Sequence, residues 1–358
     1  MKYNSFRRYS REVRAGSVGI GGKNPVSIQS MTNTDTLDKE ATLRQILSLK
    51  EAGCEIVRLA VPTAEAAETF KFLKNAGVGI PLVADIHFDY KIALAAASAG
   101  ADKIRINPGN IGSKDKILEV VRACKEYGLP IRIGVNSGSL EKHILEKHGS
   151  PTAAALAESA LYHAGLLEEL DFSDIVISVK ASSVPQMIEA NRILASKTEY
   201  PLHLGVTEAG ARLSAAVKSS VGIGSLLAEG IGDTVRVSLT DKPEEEIKVA
   251  REILRSLGLY ERGGMDIVSC PTCGRTRINL IGLVKDFEAR AEREGITDKN
   301  IKVALMGCAV NGPGEAREAD IGIAGGDGEG LLFKKGVTVR KIKEENLVEE
   351  LINEIKRM

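Results

Sequence analysis

Tryptophan is missing from this chain, and its few phenylalanines and tyrosines leave aromatic residues at 4% of 358 positions. That is too few rings for the stacking platforms that hold single-stranded nucleic acid. Net charge is missing too, because 48 Lys and Arg balance 48 Asp and Glu. No overall field steers the molecule toward nucleic acid or an anionic membrane, so any anion must be caught by a local cluster of cations. No apolar run approaches the roughly 18 to 20 residues needed to cross a bilayer. The basic start MKYNSFRRYSREVRAG has no apolar stretch or small-residue cleavage site behind it, so it does not read as a signal peptide and the cytoplasm is the expected location. Cysteine is scarce and odd in number, at five. Without an export signal, that pattern favours metal binding or catalysis over disulfides.

What the chain does have is alternation. Short apolar, β-branched runs begin at Val26 (VSIQSMT), Ile56 (IVRLAVP), Leu82 (LVADIH), Lys103 (KIRINPG), Ile131 (IRIGVN), Asp174 (DIVISVKA), Leu202 (LHLGVTEAG) and Thr234 (TVRVSLT). Segments of helical spacing, such as KEATLRQILSLKEAG and YKIALAAASAG, separate them. Strands alternating with helices imply right-handed βαβ units and a buried parallel sheet. Eight units, with no Gly-x-Gly-x-x-Gly turn after the first strand, favour a (β/α)8 TIM barrel over residues 1–258 rather than a doubly wound sheet. VGIGG, from Val18, precedes the barrel and reads as a hairpin turn, not a nucleotide loop. PEEEIKVAREI, after the eighth strand, carries acid first and base later, the dipole pattern of a solvated helix.

Polar residues fall in or just after these strands: Gln29, Arg58, Asp85, His87, Arg105, Asn107, Arg132, Asn136, Lys180, Glu208, Arg236 and Ser238. Barrel strands converge at their C-terminal ends, where active sites form, and charge inside an apolar strand is costly unless paired or functional. Some of these groups serve only to tie loops together. Arg105, Arg132, Lys180 and Arg236, with Arg58, could clamp phosphates through charge-assisted hydrogen bonds, so an anionic substrate is expected. Asp85 and Glu208 could be salt-bridge partners of these cations or proton-transfer groups, and spacing does not choose between the two. His143, His148 and His163 fall in a helical connection and read as surface or structural. Cys54 and Cys124 lack partners nearby in sequence and read as small buried hydrophobes.

Gly258, Gly263 and Gly264 punctuate LGLYERGG, where the alternation stops, so residues 259–263 are the expected linker. Residues 264–358 then form a small α+β domain with C-P-T-C at Cys270 and Cys273 after one strand and Cys308 ending another. Three thiolates converge if those strand ends are neighbours. An iron–sulfur cluster explains them best, while structural zinc and Cys-x-x-Cys redox chemistry stay open. Glu315 in NGPGE could supply a displaceable carboxylate to the fourth iron of a cubane. Two other functions also stay open, a sugar-phosphate lyase or aldolase with a Schiff base on Lys180, and a zinc-stabilised binding module.

SCPTCGRT and MGCAVNGPGE resemble the 4-hydroxy-3-methylbut-2-enyl diphosphate synthase family of the methylerythritol phosphate pathway. VSIQSMTNTDT, PLVADIHFD, KIRINPGN, HLGVTEAG and DTVRVSLT extend the resemblance over nearly the whole chain, in the two-domain bacterial form. The resemblance implies reductive dehydroxylation and ring opening of 2-C-methyl-D-erythritol 2,4-cyclodiphosphate. It implies a 4Fe-4S cluster on Cys270, Cys273, Cys308 and Glu315, with electrons from ferredoxin or flavodoxin. It assigns Glu208 as the barrel carboxylate and Arg58, Arg105, Arg132, Asn136, Lys180, Arg236 and Ser238 as substrate contacts, with Asp85 and His87 nearby. It also implies a homodimer in which one subunit's barrel meets the other's cluster. Linker length agrees: a helix of about 24 Å leads away from the mouth, and Gly258 to Gly264 span at most about 25 Å. No nucleic acid and no membrane partner are expected.

Overall fold

Each barrel strand sends alternate residues to opposite faces, and this period of two separates packing from chemistry. The strand Ile56–Ala60 turns Val57 and Leu59 outward onto helices and Arg58 inward. The computed structural model describes residues 7–260, 263–308 and 316–358. It divides the chain into two units, Met1–Tyr260 and Glu261–Met358.

In the first unit a hairpin, β1 (Val13–Ala15) and β2 (Val18–Ile20), precedes eight parallel strands. These are β3 (Ser27–Met31), β4 (Ile56–Ala60), β5 (Leu82–Asp85), β6 (Lys103–Ile106), β7 (Ile131–Asn136), β8 (Ile175–Lys180), β9 (His203–Leu204) and β10 (Thr234–Val235). Their order is β8-β7-β6-β5-β4-β3-β10-β9, and a parallel bridge from Ile177 to Leu202 joins the two ends into the expected TIM barrel. Outward strand residues such as Ile28, Leu59, Ile104 and Ile133 pack with Ile46, Leu49, Phe70 and Leu73 of the surrounding helices, all wholly buried. Each such side chain contributes about 1.5–3 kcal/mol by leaving water. The helices start where the sequence provides caps: Asp38 accepts from Ala41 N before the helix Lys39–Glu51, and Thr63 from Ala66 N before Ala64–Asn75.

Two local expectations change. Val18–Ile20 is the second strand of the hairpin and not its turn, which lies at Gly16 (φ 54) and Ser17. The hairpin lays Val13, Ala15 and Ile20 on Ile56, Val83 and Val176, which face inward near the N-terminal ends of their strands. It therefore closes the barrel floor. The last two barrel segments are also shorter as strands than their apolar runs, with two residues each, because beyond Leu204 the chain leaves the ladder to build the rim.

The second unit is a five-stranded sheet of β11 (Asp266–Ser269), β12 (Lys302–Met306), β13 (Ile321–Gly325), β14 (Glu329–Lys334) and β15 (Val337–Lys343), in that order. The first three run parallel and the last two join antiparallel. Helices Leu280–Arg293 and Leu347–Lys356 bury Leu283, Phe287, Leu351 and Ile355 against it. No helix among the described residues is long and apolar enough to cross a membrane.

Candidate active site

Strand pairing assembles the barrel site. Asp85 pairs in register with Arg105, and Arg105 with Arg132, so three charged side chains from neighbouring strands share the inward face. Asp85 is the hub: its Oδ1 accepts from Arg105 Nη1 at 2.9 Å and its Oδ2 lies 3.5 Å from Arg58 Nε. Burial alone would push this carboxyl up, but the guanidiniums of Arg58, Arg105 and Arg132 outweigh it and hold Asp85 down at about 2. It is a fixed anion that orders cations. Gly134 makes room for the arrangement, since a Cβ there would sit 2.5 Å from Arg105 Nε.

Arg132 is 1% exposed, and its Nε and Nη1 meet no hydrogen-bond partner. Lys180 is buried, and burial with Arg236, Arg58, Arg132 and Arg105 pushes its amine well below the ordinary lysine value. Arg236 Nη2 donates to Glu246 Oε1 at 3.1 Å, while Glu246 Oε2 accepts from Ser30 Oγ at 2.7 Å. Glu246 corrects the reading of its helix, Pro243–Ser256, as merely solvated: at 4% exposure it reaches inward and holds Arg236. In the acidic run Glu244–Glu246 it looks like dipole compensation. The sequence offered one signal, its place at helical spacing in the stripe of Pro243, Ile247, Ala250 and Leu254 that the helix buries. Among the described residues the interior thus gathers Arg58, Lys103, Arg105, Arg132, Lys180 and Arg236 around Asp85 and Glu246. Lys103, wholly buried, is another residue the sequence reading passed over.

At the rim a cavity of about 390 Å3 is lined by His87, Arg105, Asn107, Asn136, Thr207 and Glu208, among others. His87 is exposed, with Nε2 3.4 Å from Arg105 Nη1. Glu208, which lines this cavity, is exposed within the barrel unit and adopts φ 53, a left-handed backbone that costs a non-glycine residue energy. Ser238 is half-buried, two residues past Arg236. His163 is wholly buried and pairs with Glu141, a structural role. Cys54 and Cys124 are also buried, which pushes both thiols up to about 12 and leaves them inert.

In the second unit β11 and β12 pair with Ser269 opposite Leu305, so Cys270 and Cys308 follow the same ends of adjacent strands. Gly307 N donates to Cys270 Sγ at 3.1 Å, and Arg277 N donates to Gly307 O at 3.0 Å, tying the C-P-T-C loop to the second strand end. A Cβ at Gly307 would meet Thr276 Cγ2 at 2.9 Å, which explains the glycine before Cys308. Cys273 is exposed, and hydrogen bonds from the backbone and side chain of Arg275 hold its thiol below the ordinary value. Glu315 lies outside the described residues. Among the described residues no three His, Cys, Asp or Glu side chains close on one point as a single-ion cage. The donor set, with an N–H already directed at Cys270 sulfur, fits an iron–sulfur cluster.

Comparison with known proteins adds a family assignment. The GcpE TIM-barrel domain matches residues 10–251 and the GcpE protein C-terminal domain residues 266–357. A Clostridium perfringens protein named 4-hydroxy-3-methylbut-2-en-1-yl diphosphate synthase (flavodoxin) is 62% identical over 346 residues, covering 97% of this chain and 98% of its own. One of the same name from Caldanaerobacter subterraneus subsp. tengcongensis is 57% identical, covering 99% and 98%. Among solved structures, an N-acetylneuraminic acid synthetase from Leptospira borgpetersenii has a TM-score of 0.51 at 16% identity, covering 80% of this chain and 99% of its own. A type I 3-dehydroquinate dehydratase from Clostridium difficile has a TM-score of 0.52 at 14% identity, covering 70% and 98%. These two likenesses show the fold alone.

Proposed function

Because the chain belongs to the GcpE family of 4-hydroxy-3-methylbut-2-en-1-yl diphosphate synthases, we propose that its barrel cations and paired strand-end thiols together reduce 2-C-methyl-D-erythritol 2,4-cyclodiphosphate. The product is 4-hydroxy-3-methylbut-2-enyl diphosphate, in non-mevalonate isoprenoid synthesis, and the chain is an oxidoreductase. The Schiff-base lyase and zinc-module readings fall with the family assignment.

One observation carries the residue assignment: the buried surplus of cations around Asp85 and Glu246, which only an anionic ligand would balance. Arg58, Arg105, Arg132, Lys180 and Arg236 bind the diphosphate, Asn136 and Ser238 orient it at the rim, and Asp85 with His87 keeps Arg105 in place. Glu208 holds the proton needed to release the lost oxygen as water. Cys270, Cys273, Cys308 and Glu315 would hold a 4Fe-4S cluster. When bound, such a cluster supplies single electrons and a Lewis-acidic iron. Flavodoxin, the word in the relatives' names, or ferredoxin donates the electrons.

The anion-binding groups lie in one unit and the thiols in the other. In the arrangement we propose, a homodimer completes each site with the partner's second unit, acting in the cytoplasm without membrane or nucleic acid. Anaerobic purification with iron and sulfide analysis tests the cluster assignment: about four of each per chain is expected, and zinc in their place would overturn it.

A further inference from the structure

Lys103 opens β6 two residues before Arg105, so both side chains point inward, Lys103 about 6.6 Å deeper along the strand. It is wholly buried, and its Nζ meets no hydrogen-bond partner. Ser27, Thr234 and His203, in register across β3, β10 and β9, likewise carry buried polar atoms without partners. The hairpin of β1 and β2 closes the floor beneath.

The groups around Lys103 are mostly cationic. Arg58 on β4 and Arg132 on β7 act on it directly, and His203 on β9 lies in the same field together with Lys180 on β8. Arg105 on its own strand is bound to Asp85 on β5, and Arg236 is bound to Glu246 from the helix Pro243–Ser256. Both carboxylates are therefore already committed, as is Asp233 to Arg7, and among the described residues an ammonium at Lys103 has no counter-ion. Burial, then Arg132 and Arg58, hold its amine well below the ordinary lysine value. A guanidinium cannot shed its charge in this situation, but a lysine can.

We propose that Lys103 is a proton acceptor loaded by substrate binding: when the anionic cyclodiphosphate settles on the cations above it, the amine takes one proton from solvent. This rests on the substrate reading given above. Each phosphorus of the cyclodiphosphate carries a single strongly acidic hydroxyl, ionised throughout the neutral range, so the ligand cannot itself take up the proton. The bound anion raises the amine's proton affinity, so the complex holds one proton more than its parts. Substrate affinity then falls as pH rises, by up to about tenfold per unit between the free and bound values.

The test is isothermal titration calorimetry of the oxidised holoenzyme with the cyclodiphosphate and no reductant, so that binding occurs without turnover. Running it at about pH 8 in two buffers of different ionisation enthalpy gives the number of protons taken up. Wild type is expected to take up about one proton more than Lys103→Met, and Lys103→Gln serves as a second variant should the first not fold. Equal uptake in wild type and variant would place the proton elsewhere, for instance on Lys180, and overturns the proposal. Binding without any uptake overturns it while leaving the substrate reading intact, whereas absence of binding overturns both.

Discussion

Replacing Asp85 by Asn removes the hub anion and changes little else in shape, so it measures what the ion cluster contributes. In the folded protein the carboxyl lies at about 2, against an ordinary value of 3.8. That depression corresponds to roughly 2–3 kcal/mol, at about 1.36 kcal/mol for each tenfold change in proton affinity. Breaking a buried ion pair from one side costs about 3–5 kcal/mol. The side-chain oxygen of Asn can still accept from Arg105, so the lower end applies and a loss of about 3 kcal/mol is expected. With a urea slope of about 3 kcal/mol/M, the barrel transition should move down by about 1 M. The folded value lies below the unfolded one, so this contribution is complete above about pH 4 and is lost as pH falls toward about 2. The gap between wild type and Asp85→Asn should therefore be the same at about pH 7 and pH 5 and close below about pH 4. Inorganic diphosphate should stabilise the variant more than wild type, because it replaces the missing negative charge. Equal urea midpoints at about pH 7 would refute the reasoning, since Asp85 would then not be balancing the guanidiniums.

Cys270→Ala, Cys273→Ala and Cys308→Ala should each lose the cluster, and full iron and sulfide content in any of them would remove that residue from the ligand set. Glu315→Ala keeps three thiolates and should assemble a more labile cluster, visible as partial iron content that decays faster in air. Arg105→Ala, Arg132→Ala, Lys180→Ala and Arg236→Ala should each weaken cyclodiphosphate binding by about 1.5–3 kcal/mol with the cluster intact; wild-type dissociation constants in all four would sink the clamp. Glu208→Gln should spare binding and depress kcat. Mixed under subunit exchange with Cys270→Ala chains, it should restore about a quarter of wild-type activity, and verified heterodimers without activity would show that each cluster serves its own barrel.

The barrel was legible because its signal is local: eight apolar runs, each followed by helical spacing, cannot easily be arranged otherwise. Arg58, Asp85 and Arg105 were legible for a related reason, since a charge in an apolar strand stands out. Glu246 was not, because an acid in the first turn of a helix has an ordinary explanation and only long-range packing shows it bound to Arg236 and Ser30. Lys103 was half legible. It alternates with Arg105 in KIRI, so a strict period of two places both on one face, but its depth and lack of partner depend on how far the floor is sealed. The short strands β9 and β10 were hidden because residues that leave a ladder for a rim can stay as apolar as those that remain.

The closed floor makes the barrel a cup with one opening. Substrate entering, water expelled from around the cations, product leaving and the water formed by reduction all share that passage. They must therefore pass in sequence. The hairpin that supplies this constraint lies at the opposite end of the barrel from the rim cavity lined by Arg105, Asn136 and Glu208. Loosening it, for example by shortening Val13 and Ile20, would open a second route to water and trade an orderly cycle for a leaky one.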